Sequence, residues 1–230
     1  MTGPYCYRYP HPAVTTDICV FTIRDAQLQV LLIRRGGEPF RGQWALPGGF
    51  LDPHEDLDRC AARELAEETG LAGLYLEQLY TFGRPDRDPR ERVVSVAYFA
   101  LVPSQRLVVR AASDAADAAW HPFSALPPLA FDHGEILALA HQRLTAKLGY
   151  SGIAFEFLPN TFTLSDLQRI YEILLGAPVD KRNFRKWALG LARIEDTGER
   201  RCSGSHRPAR LYRLKASHRD DAIAYPGALS

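Results

Sequence analysis

Cysteine is scarce in this chain of 230 residues. The four present, Cys6, Cys19, Cys60 and Cys202, are too scattered for a zinc site and too few for a disulfide frame, so free thiols are expected. Long apolar runs are also missing. None approaches the ~18 residues that would span a bilayer, and the opening MTGPYCYRYPHP lacks the apolar stretch of a secretory leader. The expectation is a cytoplasmic protein that stays off membranes. Net charge is nearly absent at +1, yet 46% of the residues are hydrophobic, ample for one large or two modest buried cores.

The near-balance of charge hides an uneven distribution. Residues 151–230 hold 13 Lys and Arg against 9 Asp and Glu, and between Lys181 and Arg219 the counts are 12 and 3. A local excess of that size is the footprint a phosphate backbone attracts. The earlier part reads as α/β. Strand-like runs fall at about 14–23, 28–33, 74–82 and 93–102, with Asp25-Ala-Gln as a hairpin turn between the first two. A helical stripe of Ile136, Leu139, Ala140 and Leu144 runs to Gly149, and a domain boundary near Tyr150 divides the chain into 1–150 and 151–230.

The most specific stretch is GFLDPHEDLDRCAARELAEETGL, residues 49–71. It follows a Pro47-Gly48-Gly49 turn able to bring backbone close to a ligand, then enters a helix at about Glu55 that stops at Gly70. Glu64, Glu67 and Glu68 sit at i, i+3 and i+4, so three carboxylates share one helical face. A solvated acidic face would explain any lone E-x-x-E-E. Nine specified positions in one 23-residue window, however, fit G-x5-E-x7-R-E-U-x-E-E-x-G-U, with U aliphatic, without a gap. The stretch resembles an intact Nudix box. That resemblance implies Mg²⁺ or Mn²⁺ held by Glu64, Glu67 and Glu68 with the backbone at Gly49, and Glu64 as a further ligand or a base. Arg63 and Glu55 would support the loop and helix by ion pairing. Water attacking one phosphorus of a nucleoside diphosphate would then complete the hydrolysis. An additional base from outside the box cannot be singled out, although Glu91 and Glu135 are conceivable.

Two arginine-rich loops flank the box, RRGGEPFRGQW from Arg34 and RPDRDPRER from Arg84. Solvated loops account for either alone. Together with the box they resemble Nudix enzymes and sensors that take ADP-ribose. This implies substrate contacts from Arg35, Phe40, Arg87 and Arg90, guanidiniums on the diphosphate and a ring such as Phe40, Trp44 or Phe82 on adenine. The aromatics can equally be core.

In the tail, Thr163-Leu-Ser-Asp166 fits a capping box ahead of a stripe of Leu167, Ile170, Tyr171 and Leu174. After Ala177-Pro-Val, Asp180 can cap a second helix. There Phe184, Trp187, Ala188 and Leu191 turn inward and Arg182, Arg185 and Lys186 outward, with Lys181 and Asn183 at the edges. Short strands at about 192–195 and 211–214 flank a loop, 196–210, whose Arg200, Arg201, His206 and Arg207 could follow phosphates or the minor groove. This order describes a winged helix-turn-helix on double-stranded DNA, although a basic helix that is merely solvated, or a small helical appendage serving dimerisation, fits the same residues.

With FTLSDLQRIYEILLGAPVDKRNFRKW following a Nudix domain, nearly the whole chain is similar to the Nudix-related transcriptional regulators of the NrtR family. The resemblance implies an α/β Nudix fold, an α/β/α sandwich, followed by a small winged helix-turn-helix. It also implies a homodimer that senses ADP-ribose and binds operator DNA of NAD or sugar metabolism genes. Regulators of this type often have a degraded box, whereas here every position is filled, so hydrolysis to AMP and ribose 5-phosphate is also expected. The alternative is a housekeeping Mg-dependent ADP-ribose pyrophosphatase whose tail has another purpose. The basic second helix speaks for the regulator, since pyrophosphate hydrolysis has no need of it.

Overall fold

A computed structural model of the chain describes residues 8–103, 115–191, 193–202 and 208–215. Cys6, Ala192, His206 and Arg207 therefore lie outside the described residues. The first strands, β1 (Ala13–Arg24) and β2 (Gln27–Arg35), form a hairpin closed by Asp25 and Ala26, both at positive φ. This is the two-residue turn whose twist matches that of the strands.

Around them grows a seven-stranded mixed sheet in the order β3 (Trp44–Ala45), β2, β1, β6 (Val93–Val102), β5 (Tyr75–Phe82). Strand β4 (Gly48–Phe50) also pairs with β1, and β7 (Ala115–Pro122) with β2. Strands β1 and β6 pair in parallel, and their near-continuous apolar runs are those of strands buried on both faces. Period-two alternation sends Ile18, Val20, Tyr98 and Ala100 to one side, against Ala61 and Leu65 of helix α1 (Leu57–Thr69). Cys19, Phe21, Phe99 and Leu101 go to the other, against Ile136, Ala140 and Leu144 of helix α2 (His133–Lys147). Helix, sheet and helix make the expected sandwich.

The apolar interior on the α2 side does not stop at residue 150. It continues through a 3-10 turn (Ile153–Phe157) to helices α3 (Leu164–Leu175) and α4 (Lys181–Gly190) and to Tyr212. Helix α3 opens on the anticipated capping box, Thr163 accepting from the Asp166 amide while Asp166 accepts from that of Thr163. Tyr171, Phe184 and Trp187 then pack α3 on α4, with ring centroids 5.1 to 5.4 Å apart.

A two-stranded ribbon, β8 (Ile194–Arg201) and β9 (Ala209–Leu214), completes the tail, and an isolated bridge between Phe162 and Tyr212 ties it to the start of α3. The strands are longer than the sequence suggests, so Arg200 and Arg201 lie on β8 and not in a loop. The segment IEDTGERR carries no apolar alternation because most of it is exposed. Cross-strand ion pairs replace that signal: Arg210 meets Asp196 at 2.9 Å and Arg213 meets Glu195 at 2.5 Å.

Candidate functional site

Strand β4 and helix α1 bring the glycine turn against the carboxylate face. Gly48 has φ +153°, and a Cβ there would lie 2.0 Å from the Thr16 carbonyl oxygen, so only glycine fits between β1 and the helix. Its N–H donates to Glu68 Oε2 at 2.8 Å. Gly49 faces Glu64 so closely that a Cβ would come within 2.3 Å of that carboxylate. The helix itself is secured at both ends, by Asp56 accepting from the Arg59 amide and by Gly70 in the left-handed conformation.

Arg63 is the hub of this face. It makes two 2.9 Å bonds to Glu55, one of 2.7 Å to Glu64 and one of 3.1 Å to Glu67, and its remaining contacts reach the Phe50 carbonyl and Cys60. The guanidinium holds the Glu55 carboxyl below the usual carboxylate range. Glu68 has no such partner. Burial, opposed by the Gly48 bond and reinforced by the nearby Glu64 and Asp17 charges, pushes it up to about 8. Burial raises Glu64 as well. Oxygen donors under that electrostatic pressure suit a hard divalent cation in kind. They are not yet gathered for one: among the described residues no three carboxylate, imidazole or thiol groups surround a metal-sized point. Arg63 engages Glu64 and Glu67 in their place.

Beside the carboxylates lies a cleft of about 140 Å³ walled by Arg35, Gly48, Gly49, Phe50, Glu68 and Phe131. It is smaller than the roughly 300–1,000 Å³ of pockets that enclose whole ligands, so it would enclose only part of a dinucleotide-sized molecule. Arg35 and Arg90 both reach the Phe131 ring, with guanidinium carbons 4.7 and 5.7 Å from its centroid. Phe40 meets the same ring edge-on at 4.8 Å. Arg87 also borders the cleft but is buried in ion pairs, 2.7 Å from Asp132 and 3.2 Å from Asp17, and so serves as a brace of the cleft wall.

Asp17 further accepts from Ser95 at 2.5 Å and lies 3.5 Å from His133 Nε2. The other His133 nitrogen, Nδ1, accepts from the Leu46 amide at 2.9 Å, just ahead of the glycine turn. Burial lowers the His133 pKa, which keeps the ring neutral with its proton on Nε2. Asp132 occupies the N-cap position of α2 yet makes no side-chain cap, because its carboxylate holds Arg87.

Other expected contacts fall elsewhere. Trp44 packs on His121 at 4.5 Å and Phe82 on Tyr80 at 5.5 Å, both partly in the core region. Glu135 is exposed and paired with Arg84 at 3.0 Å. Asp17, Phe131, Asp132 and His133 escaped the sequence reading.

In the tail, Lys181, Arg182, Asn183, Arg185 and Lys186 are all exposed along α4, which Asp180 caps through the Asn183 amide at 2.7 Å. A groove of about 900 Å³ between α3, α4 and the ribbon is bordered by Lys181, Arg185, Arg200 and Arg201. Arg201 is not free in it, being ion-paired with Asp166 in the first turn of α3.

A mixed sandwich with a glycine turn against a glutamate helix, joined to a capped helix pair and basic ribbon, defines a Nudix-fold protein with a winged helix. The NUDIX domain profile matches residues 14–140, and the profile of the NrtR DNA-binding winged helix domain matches residues 154–214. The chain is 40% identical over 210 residues to the "ADPR responsive transcriptional repressor NtrR" of Acinetobacter baylyi, covering 90% of this chain and 83% of the relative. It superposes with TM-score 0.78 and 39% identity on the crystal structure of Shewanella oneidensis NrtR complexed with a 27mer DNA, covering 91% of this chain and 99% of that one. The cleft domain alone is 40% identical over 129 residues to an ADP-ribose pyrophosphatase of Methanocaldococcus jannaschii, covering 56% of this chain and 73% of the relative. The chain belongs to the NrtR family of Nudix-related transcriptional regulators.

Proposed function

We propose that this protein is an ADP-ribose-responsive transcriptional repressor whose Nudix domain also hydrolyses its effector. The observation that carries the reading is the coexistence of a Nudix cleft and a DNA-reading tail in one chain with a continuous apolar core. Arg35 and Arg90 would receive the diphosphate, with Arg87 bracing them. Arg182, Arg185 and Lys186 would face a major groove, with Lys181, Asn183, Arg200 and Arg201 flanking it. The chain would act as a homodimer on a site near genes of NAD or sugar metabolism, as symmetric operators require.

For hydrolysis, Glu64, Glu67, Glu68 and the Gly49 backbone would hold Mg²⁺ or Mn²⁺, with Arg63 releasing Glu64 and Glu67 to it. The cation supplies charge neutralisation at the diphosphate and acidifies water. Glu64 and Glu68 would be among its ligands, and the Gly48 amide holds the Glu68 carboxylate in place.

A pH dependence follows. The cation takes ionised Glu68, whose pKa in the free protein is about 8, so below that pH binding must expel a proton. Affinity should therefore fall as pH drops from about 8 and level off above it. Calorimetry with Mn²⁺ in buffers of different ionisation heat should show release of about one proton at pH ~6.5 and almost none at pH ~9. No proton release at the lower pH would count against Glu68 as a ligand.

The regulatory reading is tested by fluorescence anisotropy. Glu67→Gln protein, in which turnover is suppressed, is titrated onto upstream DNA of its own gene neighbourhood at fixed salt, with and without ADP-ribose. A coupling of typical size would weaken operator binding roughly 5- to 150-fold. Unchanged affinity at saturating ligand would remove ADP-ribose as effector and favour a pyrophosphatase with a DNA-binding appendage.

A further inference from the structure

We propose that Phe131 is a positioning residue of the cleft, its ring holding the Arg35 and Arg90 guanidiniums side by side where they receive the two phosphates of a nucleoside diphosphate. The proposal rests on the reading of this cleft as a diphosphate site. It adds a residue that lies far from the Nudix box in sequence.

Two guanidiniums over one ring repel each other, against the opposing pull of the Asp88, Glu68 and Asp17 carboxylates on Arg35. Burial lowers the Arg35 pKa, and the charge on Arg90 lowers it further. The electron-rich ring face is what holds such cations together before an anion arrives. Each arginine is also tethered in a way that leaves terminal nitrogen available. Arg35 uses Nε on the Pro39 carbonyl at 2.8 Å. Arg90 uses Nε and Nη2 on Asp88, at 3.0 and 2.7 Å, leaving Nη1 outside that pair. Arg90 lies 5.4 Å from the Phe50 ring as well, so it is held between two aromatics at the cleft edge.

The backbone makes the second argument. Phe131 sits at φ 53°, a conformation that bulky residues adopt only under strain and that glycine or asparagine would take with little. A residue needed only to fill space would not require it. The ring is half-exposed, and just beyond it Asp132 and His133 clamp the chain to Arg87 and to the Leu46 amide, so the strained residue is fixed from its C-terminal side. Phe40, itself at φ 63°, buttresses the ring edge.

The test compares full-length Phe131→Leu, Phe131→Gly and Phe131→Tyr in a Glu67→Gln background, titrated calorimetrically with ADP-ribose and with inorganic pyrophosphate. Leu and Gly should weaken both ligands by the same factor, roughly 3- to 30-fold, and Tyr should stay within about twofold of the parent. The glycine variant separates this role from folding, because it relieves the φ strain while removing the ring. A single cooperative thermal transition should persist as its affinity falls, with the midpoint lowered only by the lost packing against Phe40 and the Ile33 cluster. A loss confined to ADP-ribose would overturn the proposal in favour of a ring that stacks on the base. Parental affinity in the glycine variant would overturn it outright. If the parent binds pyrophosphate but not ADP-ribose, the effector reading fails while the Phe131 comparison still stands on pyrophosphate.

Discussion

Glu68→Gln should reduce hydrolysis of ADP-ribose by at least ~100-fold while leaving the fold intact, because it removes a charge from the cation's ligand set and almost nothing else. The side chains are isosteric, and the amide oxygen of Gln can still accept from the Gly48 N–H that now bonds Glu68 at 2.8 Å. Stability should hold or improve. A carboxyl whose pKa is raised to about 8 is disfavoured in its ionised form at neutral pH, and a neutral isostere removes that penalty. Chromatography of AMP and ribose 5-phosphate gives the rate, and thermal unfolding gives the stability. A rate within tenfold of the parent would show that Glu68 is not part of the reacting centre. The same loss accompanied by a lower midpoint would trace it to damaged structure.

Arg87→Ala should destabilise the cleft domain by about 3–5 kcal/mol, since it strands Asp17 and Asp132 as buried charges without their cation. For a chain of this length that corresponds to a fall in Tm of roughly 6–20 °C. Arg84→Ala, which breaks only exposed pairs with Glu135 and Asp86, is the control and should change stability by less than about 1 kcal/mol. Adding Asp132→Asn to Arg87→Ala should restore part of the loss by removing one of the stranded charges. Equal midpoints for Arg87→Ala and Arg84→Ala would rule out a buried network of that strength.

The contrast between those two arginines shows where sequence reading ends. Both belong to one Arg-rich loop, and nothing in their spacing says that one is buried between two aspartates while the other is exposed. Asp17 lies on β1, Asp132 and His133 on the start of α2, and Ser95 on β6, so only tertiary structure assembles them. What could be read was local. The glutamate face, both tail helix caps and the strand periodicities repeat at fixed offsets along the chain, and each reappears in the structure where the pattern places it. Phe131 was invisible for a related reason: a single aromatic ahead of a helix has no periodic partner, and its left-handed backbone leaves no mark on composition. The long ribbon was missed because ion pairs across an exposed hairpin stand where apolar alternation would otherwise be.

The Asp166 carboxylate joins two parts of the tail, accepting from the Thr163 amide at the start of α3 and from Arg201 on the ribbon. One side chain thus links helix and wing, beside the Phe162–Tyr212 bridge. A reading head assembled in advance does not have to fold on its target, so its association rate should be governed by diffusion and charge, rising steeply as salt is lowered. The heat-capacity change on binding should then carry no ordering contribution from α3, α4 or the paired strands of the ribbon.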